Sequence, residues 1–82
     1  MITEKTRKRD FVRNISTVLA EEPRSGVEYI EYDGDFEEGL EVVTIHYRGG
    51  GIARINVTIN SSGATYKEIG AEVYGNGAIG RM

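Results

Sequence analysis

The 82-residue sequence has no cysteine, no tryptophan, one proline and one histidine. Without cysteine there is no disulfide framework, no thiolate-held zinc or iron–sulfur centre and no Cys–His nucleophile pair, so most small metallo-modules and redox proteins are excluded. No apolar run is longer than Val18-Leu19-Ala20, far short of the roughly 20 residues a membrane-spanning helix needs. The N-terminus MITEKTRKRD carries no signal-peptide hydrophobic region, so the expected location is cytoplasmic, away from membranes. What is present is 39% apolar and 28% charged residues with a net charge of −3. That mixture supports a single domain, residues 1–82, with one thin core, because a chain of this size buries only a little over ~60% of its unfolded surface.

Phe11, Val12, Ile15, Val18 and Leu19 recur at i, i+1, i+4, i+7 and i+8, which predicts a helix over 3–22 with Thr3 as N-cap and Pro23 as its stop. Residues 4–10 contain no apolar side chain, so this first part is expected to project beyond the core or lie across its edge. It carries Lys5, Arg7, Lys8 and Arg9, with Arg13 just beyond. Cations in a first turn oppose the helix dipole by roughly 0.3 to 1 kcal/mol each, so helix stability does not account for them.

A sheet is predicted over 27–60. Val27 to Tyr32 is rich in β-formers and runs into Asp33-Gly34; residues 40–48 and 52–60 alternate on either side of Gly49-Gly50-Gly51. A three-residue loop at 49–51 sets Tyr47 opposite Ala53, Ile45 opposite Ile55 and Val43 opposite Val57, with His46 opposite Arg54 on the other face. A C-terminal helix over about 62–74 starts at Ser61 or Ser62 and stops at Gly75, the alternative for 64–74 being a fourth strand. The glycine-rich tail 75–82 is expected to be loose, with Ile79 able to dock. The predicted fold class is α+β, ordered α-β-β-β-α: a three-stranded antiparallel meander with both helices on the Val43/Ile45/Ile55/Val57 face and the opposite face open.

Charge is segregated. Residues 1–13 sum to +3, whereas residues 27–41 sum to −7 from Glu28, Glu31, Asp33, Asp35, Glu37, Glu38 and Glu41 with no base among them. One reading is a solvated edge that resists strand pairing; a second is a docking surface for a basic partner, with Tyr32 and other tyrosines as anchors; a third is that the acidic run meets the basic helix start, within one molecule or between copies in a homodimer. Asp33-Gly34-Asp35-Phe36-Glu37-Glu38 opens like a calcium loop, but its sixth position is Glu38 instead of Gly and its twelfth is Thr44 instead of Glu, so no metal site is assigned. His46, Arg48, Arg54 and Asn56 could form a polar platform for an anion or nucleotide, and Ser61 and Ser62 a helix-start anion site. His46 is the one group suited to acid–base work near neutral pH, and the sequence pairs it with no nucleophile or orienting carboxylate. No catalytic residue and no cofactor are therefore expected.

The α-β-β-β-α order over residues 3–75 resembles double-stranded-RNA-binding domains. Those domains carry a basic cluster at the start of the second helix, where this chain has Ala64-Thr65-Tyr66-Lys67-Glu68, so direct nucleic-acid binding is not expected. In size, charge and layout the chain also looks like small acidic, cysteine-free phage and mobile-element proteins, including anti-CRISPR inhibitors. That resemblance implies a non-enzymatic inhibitor whose acidic stretch docks on a basic surface, such as that of a nucleic-acid-binding host protein. The alternatives are a small-ligand or nucleotide-sequestering protein and a structural assembly subunit.

Overall fold

The structure, a computed structural model, describes residues 3–75. Helix α1 (Glu4–Glu21) is followed by a single 3-10 turn (Pro23–Ser25), strands β1 (Val27–Asp33), β2 (Val42–Tyr47) and β3 (Ile52–Asn56), and helix α2 (Ser62–Tyr74). The strands form an antiparallel sheet in the order β1-β2-β3, so the α+β meander is as expected. The caps also follow the sequence: the Thr3 and Ser61 hydroxyls accept from the backbone N–H of Thr6 and Ala64, satisfying donors that each helix start would otherwise leave unpaired. The tail expectation, Ile79 included, lies outside the described residues.

Val12 and Ile15 of α1 and Ile69 of α2 pack on Val27, Ile30, Val43, Ile45 and Val57 to form the core. Burying each such side chain stabilises by about 1.5 to 3 kcal/mol. Phe11, Leu19, Tyr32, Tyr47, Ala53, Ile55 and Val73 complete it as half-buried neighbours.

Two strand expectations are corrected. In the hairpin, Val43 faces Ile55, Ile45 faces Ala53 and His46 faces Ile52, so every β2 residue meets a partner two positions earlier than expected. The loop still holds three residues, but they are Arg48, Gly49 and Gly50: Tyr47 N–H donates to Gly51 O and Gly50 N–H to Tyr47 O. Gly50 supplies the positive φ of 97° that the last residue of this turn requires. A slip of two preserves both faces, which is why alternation could not detect it. Secondly, β3 ends at Asn56, not at Asn60. The Asn56 side chain accepts from Thr58 N–H, Asn60 N–H donates to Val57 O, and Ile59 points into solvent at 96% exposure.

Strand β1 contains a bulge at Glu28, since Val27 pairs with Tyr47 and Tyr29 with His46. The extra residue turns Val27 into the core and Tyr29 onto the open face, although the two lie two apart in sequence.

Candidate protein-binding surface

The open sheet face is built in rows across the strands. Tyr29, His46 and Ile52 form one row, and Glu31, Thr44 and Arg54 the next. The Tyr29 and His46 rings stack with centroids 4.1 Å apart and planes 12° from parallel. His46 Nε2 donates to Glu31 Oε2 at 2.6 Å, so the tertiary structure supplies the orienting carboxylate that the sequence did not show. Arg54 lies beside Thr44, not opposite His46.

Beyond β1 the chain makes a tight acidic turn. Asp33 Oδ1 accepts from Asp35 N–H, Phe36 N–H donates to Leu40 O and Leu40 N–H to Glu37 O. Glu28, Asp33, Asp35, Glu37 and Glu38 are exposed, as are Phe36 and Leu40 between them, and among the described residues none of those five carboxylates has an ion-pair partner. Glu38 adopts φ 46°, a left-handed conformation that Asn or Gly occupies at less cost. Glu38→Asn is therefore expected to stabilise the fold by about 0.5 to 1 kcal/mol, measurable as a raised urea midpoint at unchanged slope.

Two residues expected on this acidic surface belong elsewhere. Glu41 is 6% exposed and Lys8 1%, and Lys8 Nζ lies 2.5 Å from Glu41 Oε1. The ammonium also donates to Val57 O at 2.9 Å and Thr58 O at 3.5 Å, using its three N–H groups on three acceptors. The same Glu41 oxygen accepts from Tyr32 OH at 2.6 Å, and Glu41 N–H donates to Thr58 Oγ1. Burial raises the Glu41 pKa, but the hydrogen bonds from Lys8 and Tyr32 and the Lys8 charge outweigh it and hold the carboxyl below its ordinary value. Burial, then the bond to Glu41, push the Tyr32 phenol upward. Glu41 and Tyr32 thus serve the interior. The signal for Lys8 was its spacing, four residues before Val12 and seven before Ile15, which places it on the buried stripe.

The basic helix start accordingly lies across the sheet end instead of projecting. Lys5 Nζ donates to Gly34 O at 3.0 Å, and Lys5 and Arg9 share a cleft with Asp33 and Asp35. The acidic run therefore meets the basic helix start within one molecule, at residues 33–35 and at Glu41.

The candidate anion residues do not converge. The Arg48 guanidinium donates to Ala20 O at the end of α1, Asn56 caps the turn at Thr58, and the Ser61 hydroxyl is engaged at Ala64. Ser62 begins α2, and His46 and Arg54 remain on the open face. Among the described residues, those lining the apolar groove of about 400 Å³ between α1 and α2, bordered by Phe11, Val18, Tyr66 and Tyr74, include no carboxylate, histidine or lysine. Among the described residues there is no cluster of three His, Asp or Glu side chains able to hold a metal, and no helix long and apolar enough to cross a membrane. No family model, curated protein or solved structure matches the chain.

Proposed function

We propose that this protein is a non-enzymatic binding protein, of the kind phages and mobile elements use as inhibitors, that presents its acidic β1 edge and turn to a basic protein surface. The observation that carries this is the placement of unpaired carboxylates around exposed Phe36 and Leu40. Apolar anchors give a contact its buried centre, and surrounding charge accelerates encounter with an oppositely charged partner. Glu38 adds support, because it holds a carboxylate at a backbone position that folding would fill with Asn or Gly. Lys8 neutralises Glu41 in the interior, Lys5 and Arg9 lie beside Asp33 and Asp35, and Glu37 and Glu38 at the tip of the turn have no ion-pair partner among the described residues.

Neutralising Asp35, Glu37 and Glu38 to Asn or Gln is expected to leave the circular-dichroism spectrum intact. Affinity for the basic partner recovered from host lysate should fall about tenfold or more, mainly through the association rate, and the parent's association rate should drop steeply with salt. Equal affinity of parent and neutralised protein for that partner would falsify the reading. A nucleotide-induced rise in melting temperature that Arg54→Ala abolishes would put ligand sequestration in its place.

A further inference from the structure

Resting on that reading, we propose that the Tyr29–Glu31–His46 patch of the open sheet face recognises an arginine side chain of the basic partner, not a lysine. Three features of the patch converge on a guanidinium. Tyr29 has one ring face on His46 and is 43% exposed, so its remaining face is available to a flat cation. Glu31, two residues along the same strand and on the same face, is 57% exposed at its side chain. Among the described residues its Oε2 is the oxygen that His46 holds, and Oε1 has no protein donor. His46 thereby fixes both neighbours, one by stacking and one by hydrogen bond, so their ordering entropy is largely spent before a partner arrives.

A guanidinium can lie flat against the free face of the Tyr29 ring because it is planar, delocalised and weakly hydrated, and the Glu31 carboxylate, held on the His46 side of that ring, adds attraction through its charge. An ammonium is a compact, strongly hydrated charge that would meet Glu31 without using the ring. A nucleobase could stack on Tyr29 too, but its phosphates would face Glu28, Glu31 and Asp33 on the same strand. Among the described residues Arg54, two strands from Glu31, forms no ion pair with it. Exposed Ile52, across His46 from Tyr29, supplies an apolar margin for the neighbouring residues of the partner.

The test titrates the full chain at low salt with two capped probes of equal charge, a hexa-arginine and a hexa-lysine peptide, following the Tyr29 and His46 ring resonances. The arginine peptide should bind about fivefold tighter and shift those resonances. Tyr29→Leu should remove the preference while leaving lysine-peptide affinity unchanged, and Tyr29→Phe should retain it. Glu31→Gln, which keeps shape and can still bond His46, should weaken both peptides by a similar factor, because the Glu31 charge attracts either cation. Equal affinities in the parent, or a preference that survives Tyr29→Leu, overturn arginine recognition while leaving the acidic docking surface in place. Binding of neither peptide overturns both.

Discussion

Replacing Lys8 by Met should destabilise the domain by roughly 3 kcal/mol, because it leaves the Glu41 carboxylate and the Val57 carbonyl buried without their cation. For a chain of this length that is a large fraction of the total, which runs at about 0.05 to 0.15 kcal/mol per residue. The loss comes from the stranded partner more than from the pair itself. Lys8→Met combined with Glu41→Leu should therefore recover most of it, since well-packed apolar residues often replace a buried ion pair without loss. The pH dependence gives an independent check. The folded Glu41 pKa lies below the ordinary 4.5, so the folded state binds fewer protons there than the unfolded state. This contribution is present in full above about pH 5 and is lost as pH falls through 4.5 toward the lower folded value. Urea denaturation between pH 7 and pH 3 should show that fall in the parent and a shallower one in the double variant; parallel curves would mean that Glu41 is not held as an ion in the fold.

The second large effect is expected at Ile45. It is fully buried at the centre of β2, between Ile30 of β1 and Ala53 of β3, and Ile45→Ala should cost about 2 to 5 kcal/mol. Ile55 is only partly buried and lies on the outer strand beside Val43, so Ile55→Ala should cost about 1 to 2 kcal/mol on the same scale. Thermal melts of the two variants under one buffer should therefore separate clearly. Equal destabilisation would place β3 deeper in the core than its register puts it.

Local chemistry was legible in the sequence wherever a few neighbouring residues settle the outcome. Thr3, Pro23, Ser61 and Gly75 bound the two helices at the expected places because capping and proline sterics act within one turn of chain. The alternation of 42–47 and 52–56 assigned the core face correctly because side-chain direction in a strand depends only on parity. The hairpin register was not legible, since three consecutive glycines allow more than one turn position and a slip of two costs nothing in alternation.

The site divides in the same way. The excess of carboxylates over residues 28–41 is a property of composition, and so is the absence of any compensating base within that stretch. Which of them stay exposed was decided by contacts distant in sequence. Lys8 reaches Glu41 and Val57 because α1 crosses the sheet end, and only that crossing turns one of the seven acids inward. Tyr29 joins His46 and Glu31 because the bulge at Glu28 reverses its face. Local sequence specifies what each residue prefers over a turn or a strand. The energy that selects among equally acceptable local arrangements comes from burial and charge pairing between segments 15 to 50 positions apart, and those appear only when the chain is folded.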